Sequence, residues 1–453
     1  MQRILYLTLR KWFFFVLLSL MIFDVKGQSE NQRFWTLKQC IEYAVNNNLN
    51  IKYYDVATRQ KEVALNNAKM NLLPTVSGNV NQSFGFGRSL TSLNTYDQSN
   101  TSNTSFNVGA SAVLFQGFYR KNQIEQNKIN FDIAKNEQES YKNDLVLNII
   151  TLYLNVLLAD ELRQVNLSHL ELSRSQYLLI KRQVELGRRS HVDEVSAWSV
   201  VVQDSATYVS SINDYELSLF DLCQLLEVSK DSFCVASPNG DVEFQVIENP
   251  NEVFNIALKE RPEIKVAELR VASAEKQIDI ARSSFYPTLT LNASIGSNYY
   301  KTDGIQNAVF SEQMRNNFSQ SVNLSLSIPM FNAFSSRNSV RSAELQHQQS
   351  ELQLDIEKKN LLKAIEQAYN NVLVARSKYT SCQSVESASN MTYDMVKTKF
   401  NSGKATRVEL DQARLDWVHA ESSLVVAKYE LIHKIKIFEF YKNGVDSVWE
   451  YDN

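Results

Sequence analysis

The segment Gln320-Ser-Val-Asn-Leu-Ser-Leu-Ser-Ile328, followed by Pro329 and then by a run from Ser335 to Asn401 without Pro or Gly, decides how the chain is read. Val322, Leu324, Leu326 and Ile328 alternate with Ser321, Asn323, Ser325 and Ser327, the period-two pattern of a strand with one apolar and one polar face. Pro329 has no N–H for a ladder and ends the strand. The run after it is rich in Ala, Leu, Glu, Gln and Lys, and predicts one helix roughly 100 Å long at about 1.5 Å per residue. Gly403 interrupts it, and a second apolar-periodic helix is expected from Thr406 to Tyr441. A strand feeding a helical hairpin of this length is not the plan of a globular core.

The same unit occurs earlier in the chain. At an offset of 213, Ala44, Ile51, Lys52, Ala68, Pro74 and Thr75 fall on Ala257, Ile264, Lys265, Ala281, Pro287 and Thr288. At an offset of 216, Phe115, Phe118, Asn122, Tyr153, Gly187, Val192 and Ala197 fall on Phe331, Phe334, Asn338, Tyr369, Gly403, Val408 and Ala413. Punctuation matched at both Pro and Gly marks an internal repeat rather than chance likeness between helix-rich halves. The expected organisation is an export signal over 1–27, a first repeat over 28–248 and a second over 249–453. In the first repeat, strands are expected over 75–86 and 106–115 and a helical hairpin over 119–228. In the second, strands are expected over 288–300 and 318–328 and a hairpin over 335–441. Helices are also expected over 36–47, 51–73 and 264–286. The segments 88–104 and 301–317, rich in Ser, Thr and Asn, read as exposed loops.

The first 27 residues carry Arg3, Arg10 and Lys11, an apolar run from Trp12 to Phe23, and then Val25-Lys26-Gly27, which fits a secretory signal cleaved near Gly27. An uncleaved anchor is the alternative. Cleavage removes four basic residues against Asp24, so the formal charge moves from -3 to -6, which argues against a nucleic-acid partner. The four cysteines form no disulfide framework. Cys223 and Cys234 flank an irregular segment and could pair after export, with buried free thiols the preferred reading. No later stretch reads as a membrane helix, so entry into a membrane must use strands.

Four strands of about ten residues suit tilted membrane strands, yet four cannot close a barrel, and open edges in lipid cost several kcal/mol per unpaired group. Three chains together would supply a twelve-stranded barrel, within the range of membrane barrels. The fold class expected is therefore mainly α with a membrane β-barrel portion, built from a duplicated helix-strand-strand-helical hairpin unit. A soluble antiparallel sheet with one wet face is the rival. The five histidines, His169, His191, His347, His419 and His433, lack the spacing of a metal site, and no Gly-rich phosphate loop occurs. No cofactor and no catalytic arrangement is expected.

The signal, the doubled unit, Pro74 and Pro287 at the helix-to-strand junctions, Phe-x-x-Phe before each long helix and Gly187 and Gly403 at the hairpin tips resemble the TolC family of outer membrane efflux proteins over roughly 36–441. The resemblance implies a homotrimer in outer membrane lipid. Its barrel would continue as a periplasmic α-helical tunnel and serve as the passive exit duct of an efflux or type I secretion system. Its partners would be a periplasmic adaptor, or membrane fusion, protein and an inner-membrane pump of RND or ABC type. It also implies an acidic constriction near the tips. Counted from Gly403, Glu409 matches the first family acid, Gln412 stands at the second, and Asp411 lies one residue away. An ordinary solvated helix charge is the alternative for Glu409. Asp193 corresponds in the first hairpin and is expected to face outward. Gly187 with Arg188 and Arg189, and Gly403 with Lys404, are candidate adaptor contacts, or the glycines only end helices. A coiled-coil scaffold or surface protein of the envelope is the competing function. It explains the rods and not the matched strands.

Overall fold

A computed structural model describes residues 33–90, 94–98, 100–230, 233–236 and 248–444; the signal expected over 1–27 lies outside them. Strand β1 (Arg33–Trp35) precedes helices α1 (Leu37–Asn47) and α2 (Leu49–Met70), strand β2 (Thr75–Gly85), the short strands β3 (Arg88–Leu90) and β4 (Tyr96–Gln98), and strand β5 (Thr101–Gln116). Helices α3 (Tyr119–Glu185) and α4 (His191–Leu226) and strand β6 (Phe233–Val235) follow. Then come α5 (Pro250–Glu260), α6 (Pro262–Arg282), β7 (Thr288–Thr302), α7 (Phe310–Asn316), β8 (Ser319–Ser327), α8 (Ser335–Asn401) and α9 (Arg407–Asn443). The two long helices, α3 and α8, have 67 residues each, so both run roughly 100 Å at about 1.5 Å per residue.

Strands and helices share one lateral order. The antiparallel sheet runs β2-β5-β7-β8. The helices continuous with those strands are α2, α3, α6 and α8, and α2 packs on α3, α3 on α6 and α6 on α8. Toward the hairpin tips the row becomes α4, α3, α9, α8. Thus α2 and α4 both lie along α3, and α6 and α9 both lie along α8, as the helix lengths require. The handover is held by matched caps. Asn48, N-cap of α2, donates to the Leu225 carbonyl near the end of α4, and Arg261, N-cap of α6, donates to the Phe440 carbonyl near the end of α9. Arg261 is buried, and its guanidinium lies 4.4 Å from the Phe440 ring centroid.

Each strand-to-helix corner puts two consecutive residues in the left-handed region: Gly117 and Phe118 at φ 55° and 63°, Ala333 and Phe334 at φ 52° and 62°. The Phe-x-x-Phe spacing then brings rings edge to face, Phe115 with Phe118 at 5.6 Å and Phe331 with Phe334 at 5.7 Å. Gly117 is also sterically required, because a Cβ there would lie 2.6 Å from Tyr286 Cβ and 2.7 Å from the Ser283 carbonyl oxygen.

The buried core is concentrated where the short helices α1 and α5 cover the hairpins. Cys40, Ile41 and Ala44 pack with Ile149, Tyr153, Val156 and Leu222 in one cluster; Val253 and Ala257 pack with Ile365, Val372 and Leu431 in another. Ile149 and Val156 map onto Ile365 and Val372 at the offset of 216. Part of α3 inside the first cluster is long and apolar enough to cross a membrane, contrary to the sequence reading, and half of that window is buried. Its apolarity is spent on neighbouring helices.

Other details also depart from expectation. Strand β5 is longer than 106–115 because β2 and β7 flank it on both sides. The segment 88–104 is not wholly loop, since β3 and β4 pair. Within 301–317 lies α7, whose buried Gln313 accepts from the Tyr300 N–H at 2.9 Å and donates to the Tyr300 and Ala308 carbonyls. The four cysteines are free thiols, and burial pushes Cys223 up to about 11.

Candidate functional site at the helical tips

At the far end from the sheet, α3 closes on Gly187 and α8 on Gly403, with φ 68° and 73°. A Cβ at either glycine would meet open space, so backbone conformation alone demands them. In each tip two backbone amides fold back on the last turn: Gly187 and Arg188 to the Val184 and Gln183 carbonyls, Gly403 and Lys404 to those of Phe400 and Lys399. The next helix opens with a capping box. Ser190 pairs with Asp193 and Thr406 with Glu409, each hydroxyl accepting from the backbone amide of that third helical residue while its carboxylate accepts from the cap backbone amide.

This geometry assigns Glu409 a local task. Its carboxylate accepts from the Thr406 N–H at 2.7 Å and from the Thr406 hydroxyl at 3.1 Å. These bonds, the backbone one foremost, hold its pKa below the usual carboxylate value although the side chain is exposed. Asp411 is instead half-buried between the hairpins. It accepts from Arg407 Nε at 2.8 Å and from the Ser196 hydroxyl of α4 at 3.4 Å. Its second oxygen lies 2.8 Å from Arg407 Nη2 as an ion pair out of hydrogen-bond alignment. Gln412 donates to Asp416.

Gly187, Arg188, Gly403 and Lys404 are exposed at the tips. Arg189 turns inward, stacking 3.9 Å from the Phe400 ring centroid and donating to the Phe400 carbonyl. Pro74 and Pro287 stand immediately before β2 and β7, at the other end of the helices and remote from the tips.

One cluster carried no signature in the sequence. Arg414, 2% exposed, is paired with Asp204 of α4 and also donates to the His169 carbonyl of α3. His169 Nε2 lies 2.9 Å from Glu421, out of hydrogen-bond alignment, and its ring meets Trp417 edge-on. Trp417 stacks on Tyr393, whose hydroxyl accepts from Gln176. The partners are some two hundred residues apart, so spacing could not reveal them. The available signal was a cation on an apolar helix face, since Arg414 follows Leu410 by one turn and precedes Trp417. The arrangement ties the two hairpins together and offers no nucleophile with a base. Among the described residues no group of His, Cys, Asp and Glu could hold a metal ion.

The chain is similar to known proteins over most of its length. It is 24% identical to protein CyaE of Bordetella pertussis over 320 residues, 70% of this chain and 66% of that protein. It is 23% identical to the alkaline protease secretion protein AprF of Pseudomonas aeruginosa over 296 residues, 64% of this chain and 58% of that protein. The chain thus spans less than two thirds of these relatives' own length. Among solved structures, CusC, whose crystal structures concern folding and transmembrane channel formation, superposes with a TM-score of 0.78 at 18% identity, covering 90% of this chain and 92% of that one. The fold is that of such channels, a long helical body continued by a β portion. The family model described as outer membrane efflux protein matches residues 41–226 and 253–434, and with both halves of the repeat matched the chain belongs to the outer membrane efflux protein family.

Proposed function

We propose that three copies of this chain form the outer-membrane exit duct of a tripartite export system. The supporting observation is the shared lateral order of strands and helices. A four-stranded sheet with β2 and β8 unpaired at its edges and exposed along their whole lengths runs directly into a row of four helices. Strip edges of this kind close by pairing β8 of one copy with β2 of the next, and three strips give twelve strands. The helices then continue the barrel as a tunnel in the periplasm. Division into two repeats, meeting near 248 and 249, belongs to the same proposal and is supported by corners, caps and cores recurring at offsets of 213 and 216.

The duct conducts passively, with energy supplied by an inner-membrane pump of RND or ABC type reached through a periplasmic adaptor. Exposed Gly187, Arg188, Gly403 and Lys404 form the docking end, with Arg189 holding its shape. The constriction lies near Glu409, with Asp411 as the internal tie that sets the angle between hairpins. Relatives named for alkaline protease secretion and for cation efflux stand equally near in sequence, so the cargo class is not assigned.

Fractionation with heat tests the proposal. The chain should stay with outer membranes and run as an oligomer three times its 51.9 kDa, less the signal, until boiled. A protein that washes off membranes in salt, running only as a monomer, would instead favour the scaffold.

A further inference from the structure

The strand-to-helix corners carry a doubled surface feature that neither conduction nor docking uses. After each short helix stand two exposed apolar residues, Leu72 and Leu73 in the first half and Phe285 and Tyr286 at the matching positions of the second. Each long helix is preceded by an exposed phenylalanine, Phe118 or Phe334. All six are more than half exposed, although they sit between well-formed helices and a sheet. On the helix side of this collar the repeat also matches positive charge. Lys69 corresponds to Arg282, three residues before the apolar pairs, and Lys121 corresponds to Arg337, three residues after the phenylalanines. Three residues are about one helical turn, so each cation lies roughly 5 Å below the collar on the helical side.

Lys69, Arg282 and Arg337 are exposed and have no acidic partner among the described residues, while Lys121 is 3.9 Å from Glu125. Lys69 and Arg282 thus repeat in register without acidic partners, and the Lys121/Arg337 match adds a third such cation in Arg337, on a chain of net charge -3. Phe285, Phe334 and Arg337 line one groove of about 780 Å³, in which Arg341 and Glu344 pair with each other at 3.3 Å and leave the Arg337 guanidinium as the cation without a described acidic partner beside the rings. Rings at the level of a membrane interface with cations just outside it match a phospholipid: acyl chains against the rings, phosphate against the cations.

We infer that this collar binds anionic phospholipid headgroups of the leaflet on the helical side, and so fixes the depth of the sheet in the membrane. The inference rests on the membrane-duct reading. Lys121 and Arg282 belong to α3 and α6, the inner helices of the strip, so pairing of copies at its edges does not cover them.

The test uses the assembled full-length protein in phosphatidylcholine vesicles containing spin-labelled phosphatidylglycerol or, separately, spin-labelled phosphatidylcholine. The association ratio of the anionic over the zwitterionic lipid should be several-fold. It should fall toward one in Lys69→Gln/Lys121→Gln/Arg282→Gln/Arg337→Gln, and in the unmodified protein at about 1 M salt, where screening reaches within about 3 Å. A Lys121→Arg/Arg282→Lys/Arg337→Lys variant should keep the preference, separating loss of charge from loss of fold. Free inorganic phosphate at the ionic strength of a sodium chloride control should not compete beyond that control; if it does, the site is a phosphate site and the lipid assignment falls. Equal association of the two lipids, or a preference unchanged in the Gln variant, overturns the inference. If the protein inserts into vesicles and shows no preference, only the collar fails; if it does not insert at all, the duct reading fails with it.

Discussion

Arg414 is the residue on which the contact between the two hairpins turns. Its guanidinium is buried, and its ion pair with Asp204 would leave a half-desolvated carboxylate if the arginine were removed. Arg414→Ala is expected to destabilise the hairpin contact by about 3 kcal/mol, and Arg414→Ala/Asp204→Ala by clearly less, because the orphaned charge goes too. Hydrogen exchange across 400–420 reads both. A second residue carries pH dependence. His433 contacts the Thr151 hydroxyl at 3.0 Å between the two halves, and burial foremost, then Lys434, lowers its pKa below 6.5. The unfolded chain therefore takes up this proton at a higher pH than the folded one. Stability falls as pH drops from about 6.5 through the lowered folded value. His433→Gln should flatten that part of a pH–stability profile; an unchanged slope would assign it to other groups. At this scale the sequence displayed what backbone geometry demands, as with Gly187, Gly403, Pro74 and Pro287. It hid what folding brings together, because nothing local marks Asp204 as the partner of Arg414; the bonds of Glu409 to Thr406, by contrast, follow from the capping-box spacing Thr406-x-x-Glu409, a local signal that matching by position alone passed over.

The strand-to-helix corners are the elements most sensitive to a single methyl group. Gly117 and Ala333 occupy equivalent positions and both have positive φ, yet only one is glycine. Gly117→Ala would drive a Cβ into Tyr286 and the Ser283 carbonyl and is expected to cost roughly 2 kcal/mol or more. Ala333→Gly relieves a left-handed alanine and should gain about 0.5–1 kcal/mol. Denaturant midpoints of the folded protein decide both, and a stabilised Gly117→Ala would overturn the assigned corner. Long elements were legible because their periodicity runs unbroken, as in 335–401. Strand ends were less so, since the extension of β5 to Thr101 depends on partners along both its edges, and α7 is fixed by Gln313 reaching Tyr300 rather than by its own pattern. The apolar window of α3 shows the same limit. A helix wrapped by α1 and α4 and one crossing lipid have the same composition, and only packing tells them apart.

In the whole molecule, strip geometry connects fold to function. One chain presents two open sheet edges and a helical row with open sides, and pooling copies satisfies both at once. The proposed duct would be wide enough to conduct without a dedicated binding pocket. Single-channel recording in planar bilayers asks whether the assembled strips enclose a conducting path. The proposed trimer should give discrete conductance steps that Glu409→Ala enlarges, because the substitution removes an ionised carboxylate at the proposed constriction and the tie that caps the first turn of α9. Steps indifferent to Glu409 would leave the duct and move its constriction elsewhere. A folded, membrane-extracted trimer that conducts no ions would mean that the strips do not form a duct.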